Sequence, residues 1–199
     1  MTRPVTFLST FAERGVFNIW AAPSAVAGGG AVPGWLAERI VLTYSQPGDL
    51  VLAAGSDSDL VLDAAAAADR AAYPTAVDER ASPCWQARAT LVVLVINPAH
   101  PIRMRWDICR DLLRSDGLFA VAVTDGCWPG DVVSTGDAVG AGLAYLDHVI
   151  AVHATIDRGS LRPTRPTSRR DEGLGITARH VPVHSDLFVF DRMPVRAHG

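Results

Sequence analysis

Three groups of residues in this 199-residue chain combine reactive side-chain types with a spacing that places them at strand ends or in one loop. The first is Asn97-Pro98-Ala99-His100, which follows the apolar run TLVVLVIN. An amide and an imidazole just past a strand buried on both faces can exchange hydrogen bonds with a ligand, at the edge where α/β sheets bind their substrates. An Asn-Pro pair in that place is also an ordinary turn. The second is Gly55-Ser56-Asp57-Ser58-Asp59, between an apolar run at 49–54 and an alanine-rich helix. A bend of this kind brings backbone amides and a helix N-terminus together. The third is Arg162, Arg165, Arg169 and Arg170 in the basic segment 158–180. Their guanidinium groups suit phosphate contacts with a steep salt dependence; the plainer reading is a solvated loop.

Other polar residues offer less. His148 and His153 are too far apart for a metal pair on one strand face, and no Glu joins them, so they read as core or edge histidines. Cys84, Cys109 and Cys127 show no CxxC spacing, so neither zinc nor a disulfide framework is expected, and no metal is. Asp125-Gly126-Cys127-Trp128-Pro129-Gly130-Asp131 follows an apolar run and either lines a pocket or makes a tight turn. Trp20 and Trp35 read as core or as aromatic platforms.

The elements that must position these groups alternate. Leu36, Ile40, Val41 and Tyr44 recur at helical spacing after Pro33, and Pro47-Gly48 stops that helix. A buried strand at 49–54 leads to a helix over 60–72, carried by the alanines at 64–67. Further strands are expected at 90–97, 118–124, 149–154 and 187–190, with helices at 105–114 (stopped by Gly117) and 137–147. Strands alternating with helices predict a mostly parallel sheet covered on both faces, and the last two strands, with no long helix between them, can pair with opposite polarity. Residues 1–34, with the run Ala25-Val26-Ala27-Gly28-Gly29-Gly30, read as an irregular segment of one domain spanning 1–199.

Composition narrows the classes. With 49% apolar and 20% charged residues the chain is globular rather than disordered. A formal charge of −3 argues against a surface that grips a polyanion throughout. There is no apolar run of membrane-span length and no secretion signal, so a cytoplasmic protein without a membrane partner is expected. Every basic residue apart from histidine is arginine, which codon usage explains as well as bidentate recognition does.

The run from Leu36 to Leu52, with Tyr44-Ser45-Gln46-Pro47-Gly48-Asp49 leading into the first buried strand, resembles the entry to the cofactor site in the S-adenosylmethionine-dependent DNA amino-methyltransferases. His184-Ser185-Asp186-Leu187-Phe188-Val189-Phe190-Asp191-Arg192 is similar to the closing strand of actinobacterial members of that family, and residues 148–154 to the strand before it. The resemblance implies an α/β, Rossmann-like class I methyltransferase fold: a mostly parallel sheet, an antiparallel C-terminal strand and a shortened middle. It implies S-adenosylmethionine as cofactor, bound by Tyr44, Pro47, Ala53, Gly55, Asp57, Asp59 and Asp78, where Asp57 and Asp59 replace two loop glycines and Asp78 is the acid for the ribose hydroxyls. It implies catalysis by Asn97, the carbonyl of Pro98 and a stacking His100, on an exocyclic amino group of a nucleobase in DNA or RNA. The altered loop leaves a second reading open, a catalytically inactive relative that binds nucleic acid through Arg162, Arg165, Arg169 and Arg170, or binds a protein.

Overall fold

A computed structural model describes residues 5–7, 17–22, 32–97, 104–124, 133–157, 160–163 and 184–193. Eight strands form one sheet in the order β1-β2-β7-β10-β6-β5-β3-β4. These are β1 (Val5–Phe7), β2 (Phe17–Ala21), β3 (Leu50–Gly55), β4 (Ala71–Pro74), β5 (Ala89–Ile96), β6 (Leu113–Val123), β7 (Leu143–Val152) and β10 (His184–Arg192). Between β7 and β10 in sequence, β8 (Ala154–Asp157) and β9 (Ser160–Pro163) pair as a separate antiparallel hairpin. In the sheet, β10 runs antiparallel to both β6 and β7, β1 runs antiparallel to β2, and the other strand pairs are parallel.

The strands bury both faces, so their odd and even residues join two different cores. Val51, Ala53, Leu91, Val93, Val95, Ala120, Ala122, Val149 and Leu187 face helices α1 (Gly34–Tyr44) and α2 (Ser58–Ala67). Leu52, Leu94, Ile96, Phe119, Val121, Phe188 and Phe190 face α3 (Trp106–Leu112) and α4 (Thr135–Gly140). A sheet with helices on both faces and one antiparallel strand inserted between its last two parallel partners is the Rossmann-like class I methyltransferase arrangement anticipated from the sequence. Trp20 and Trp35 belong to the first core, 5% and 9% exposed, and are not solvent-facing platforms.

Several boundaries differ from the sequence reading, each for a tertiary reason. The alanine-rich helix stops at Ala67, not near residue 72, because Asp69 turns into the left-handed region (φ 61°) and its carbonyl accepts the Gly48 amide at 2.7 Å. This releases Ala71–Pro74 to pair with β3, so pairing overrides alanine's helix propensity. The crossover from β4 to β5 then holds only a 3-10 turn, Pro83–Trp85, in a shortened middle. Gly117 does not end a helix but lies within β6, where a Cβ would meet the Ala89 carbonyl oxygen at 2.7 Å, beside a register shift at Ala89/Leu91. α4 is only six residues long because β7 starts at Leu143. The N-terminal segment, read as irregular, contributes two strands, and β2 extends the sheet beside β7.

Candidate functional site

The chain reverses its direction of winding at β3. From β3 it passes through α2 on one face to β4, and from β4 it crosses back over the other face to β5 on β3's far side. The loops that leave the carboxyl ends of β3 and β5 therefore part in opposite directions and open a crevice, the usual ligand position in such sheets.

On the β3 side the crevice wall is Gly55-Ser56-Asp57. Gly55 is exposed and has φ +92°, and Asp57 has φ 54° and ψ 23°, in the left-handed region that Asp tolerates better than most residues with a side chain. An aspartate thus occupies a left-handed position just before α2. The Ser56 amide donates to the Val95 carbonyl at 3.0 Å, which fixes the bend against β5. Asp57 makes no side-chain cap to α2, and both Asp57 and Asp59 are exposed at the helix start.

On the β5 side stands Asn97, half-buried and first past the strand, two residues beyond Val95, which pairs with Gly55. The Thr124 amide and hydroxyl both donate to the Ile96 carbonyl, at 3.1 and 3.3 Å, tying the end of β6 to β5 just behind Asn97. Gly55 and Asn97 thus stand at the carboxyl ends of the paired strands β3 and β5, with Asp57 and Asp59 following Gly55 at the start of α2. Pro98, His100 and the run 125–131 lie outside the described residues, as do Arg165, Arg169 and Arg170, while Arg162 stands in β9.

Three expected cofactor residues are elsewhere. Tyr44 and Pro47 sit at the amino end of β3, a strand length of roughly 20 Å from Gly55. Tyr44 ends α1, stacks on Trp20 at 6.0 Å and faces the Asp147 carboxylate at 3.5 Å. Burial first, and the Asp147 charge second, push its hydroxyl pKa above the ordinary value. Ala53 is fully buried in the first core. The run from Pro47 to Asp59 is therefore not one bend, because β3 separates its ends.

Asp78 follows β4, and Arg80 grips its carboxylate through Nε at 3.1 and 3.0 Å and Nη2 at 2.7 Å. These hydrogen bonds, more than charge alone, hold its pKa below the usual carboxylate range. It borders a groove of about 140 Å³ that runs along α3, lined also by Ser82, Gln86, Ile108 and Leu112. The residue that ends β4 is Pro74, so no carboxylate occupies the tip of that strand.

One pair escaped the sequence reading. His153 Nε2 and Ser185 Oγ are 2.7 Å apart, both buried, with the Trp35 ring edge-on to the imidazole at 5.8 Å. They lie 32 residues apart in sequence, and the only clue was parity: each falls on the same strand face as its apolar neighbours Ala151 and Leu187. His148 instead faces the other side, bonded to Asp186 at 2.8 Å and stacked on Phe188 at 4.4 Å. Among the described residues no group of three or more His, Cys, Asp or Glu could hold a metal ion, and no helix is long and apolar enough to cross a membrane.

No family model and no curated protein matches the chain. Solved structures do resemble it. One is a TehB-like SAM-dependent methyltransferase from Corynebacterium glutamicum, 13% identical, with 78% of this chain and 86% of that chain covered and a TM-score of 0.47. Another is geranyl diphosphate C-methyltransferase from Streptomyces coelicolor, 14% identical over 81% of this chain and 76% of that one, TM-score 0.47. A third is a 16S rRNA adenine methyltransferase from Catenulisporales acidiphilia, 12% identical over 83% and 92%, TM-score 0.42. Likenesses of this degree decide nothing about a substrate, and the fold assignment stands on the strand order.

Proposed function

We propose that the chain is an S-adenosylmethionine-dependent methyltransferase that acts on an exocyclic amino group of a nucleobase in DNA. The observation that carries this reading is the crevice itself: a left-handed bend, Gly55-Ser56-Asp57, faces Asn97 across the ends of β3 and β5. The residues present suit the cofactor. Gly55 exposes backbone with no side chain to obstruct a close approach, and Asp57 and Asp59 put negative charge where a cationic ligand would lie. Gly55, Asp57 and Asp59 would hold it, whereas Asp78 lies by the groove along α3 with Arg80 on its carboxylate. When bound, it supplies an electrophilic methyl group on a sulfonium centre.

The chain's own residues do the rest. Asn97 Oδ1 accepts a hydrogen bond from the target N–H, which turns the nitrogen lone pair out of conjugation and toward the incoming methyl group. Thr124, by pinning β6 to β5, keeps Asn97 from shifting as the acceptor docks. The amino proton is released to solvent after transfer. A base in duplex DNA must leave the stack to reach this crevice.

Calorimetric titration with S-adenosylmethionine and S-adenosylhomocysteine tests the reading. Micromolar binding that weakens in Gly55→Val is expected; a folded chain that binds neither at millimolar concentration removes it. Transfer of labelled methyl groups to DNA then tests the acceptor.

A further inference from the structure

β7 and β10 are antiparallel neighbours, with Val152 opposite His184. A turn of about two to five residues suffices to join strands placed so. Residues 153–183 stand there instead, far more chain than the pairing requires, and they leave and rejoin the sheet at its carboxyl edge. Extra chain at that edge of an α/β sheet is where recognition groups are added.

The described part of this insertion is the β8–β9 hairpin, which rises from the end of β7 directly after His153 and lies beside β2. Thr155 pairs with Arg162 and Asp157 with Ser160, so these four hold positions on one face of the hairpin. Ala154, Ile156, Leu161 and Pro163 alternate on the other. Thr155, Ser160 and Arg162 are of the types that donate hydrogen bonds to phosphate oxygens; Asp157, next to the turn, is not.

The sequence around the hairpin is charged to match. In residues 158–180, Arg158, Arg162, Arg165, Arg169, Arg170 and Arg179 stand against Asp171 and Glu172, within a chain of formal charge −3. The rest of the chain is therefore more acidic than the whole, which repels a polyanion elsewhere and favours it here. Codon usage accounts for arginine in place of lysine, but not for where the positive charge collects.

Three strand spacings of about 4.8 Å part the root of the hairpin on β7 from Asn97, roughly 14 Å along the carboxyl edge. At roughly 3.4 Å per nucleotide of one DNA strand, that is about four phosphates. We propose that the β8–β9 hairpin is a DNA-binding arm, in which Arg162 contacts a backbone phosphate about four nucleotides from the base presented to Asn97. The contact reads charge and not sequence, so the arm holds the strand while the crevice selects the base. The inference deepens the methyltransferase reading and rests on it for the base at Asn97.

The test titrates a labelled DNA duplex with the full chain, without cofactor, over a range of salt concentrations. The logarithm of affinity should fall linearly with that of salt concentration. Arg162→Ala should weaken binding about tenfold at low salt, whatever the duplex sequence, and flatten the slope by about one. Arg162→Lys should keep the slope, as should Arg88→Ala, which removes an exposed arginine at the amino end of β5. An Arg162→Ala variant with unchanged slope and affinity overturns the arm. So does equal binding of polyglutamate of matched charge, which points to an acidic protein partner. Calorimetry with S-adenosylhomocysteine on the same protein separates the two readings. If that ligand binds and DNA does not, the arm is refuted and the methyltransferase reading survives; if DNA binds through Arg162 and that ligand does not, the arm stands and the methyltransferase reading falls. Should Arg162→Ala fail to fold, the hairpin is structural and the inference is overturned.

Discussion

The two ends of the one sheet are built differently. At the amino edge, helix-to-strand connections are short: residues 45–49, 68–70 and 141–142, and none between α3 and β6. Side chains stitch them. Asp49 accepts from Thr90 Oγ1 at 3.0 Å, Arg114 Nη1 at 3.4 Å and the Gln46 amide at 2.8 Å. Arg70 donates to the carbonyls of Ser45 and Ala68, Arg110 to that of Ala141, and Arg192 to that of Leu113. At the carboxyl edge, three strand-to-helix connections run over residues 22–33, 97–105 and 124–134, and the short one, 56–57, is the left-handed bend. Long connections on a rigid scaffold are where binding groups are placed. The amino edge thus holds the strands in register, while the carboxyl edge presents the amide of Asn97 and the carboxylates of Asp57 and Asp59. The same contrast explains why Tyr44 and Pro47, at the stitched end, are structural.

Substitutions should separate the two ends cleanly. The largest expected effect is on chemistry: Asn97→Ala should lower methyl transfer about 10²- to 10³-fold, as for removal of one well-placed polar group, with the thermal midpoint unchanged. A matching loss of stability would show that the carboxyl edge is also a structural seam. Next, Gly117→Val forces a side chain against the Ala89 carbonyl at the opposite end and should destabilise by about 3 kcal/mol in urea titration, with S-adenosylhomocysteine affinity of the folded fraction unaltered. Asp49→Ala, which leaves Thr90 and the Gln46 amide without their acceptor, should cost about 1–3 kcal/mol by the same measurement.

Smaller effects sharpen the contrast. Asp57→Ala should cost about 1 kcal/mol because alanine pays more than aspartate for φ 54°, whereas Asp57→Gly should stay within about 0.5 kcal/mol of the parent. Equal costs would mean that the bend relaxes. Alkaline pH comes last. Burial pushes the Cys109 thiol above its ordinary value of 9.0, and burial with Asp147 pushes Tyr44 above 10.0. Both groups hold their protons more tightly folded than unfolded, so their contribution is complete below pH 9 and is lost as pH rises past each ordinary value. Denaturation midpoints should fall above about pH 9, less steeply in Cys109→Ala. In native alkylation, exposed Cys84 should react and buried Cys109 should not.

Much of the scaffold was legible without coordinates. Apolar runs such as TLVVLVIN, too uniform for a one-sided strand, announced a sheet buried on both faces, and the periodicity of Leu36, Ile40 and Val41 announced the helix before β3. Gly55 and Asp57 could be placed in a bend because local backbone preferences are encoded where they act. Boundaries set by distant partners could not be read. Ala71 and Ala72 favour helix until β3 offers a ladder, and Gly117 reads as a stop until Ala89 is seen to press on it.

The sequence by itself therefore determined the central buried strands, the helices beside them and the groups that stand just past those strands, since these follow from side-chain periodicity and backbone preference within a few residues. Only the tertiary structure decided which of them meet. It parted Tyr44 and Pro47 from Gly55 by the length of a strand, joined Gly55 to Asn97 across a reversal of winding, and set His153 on Ser185. Strand order and register arise from contacts between residues far apart in the chain, and no local pattern carries them.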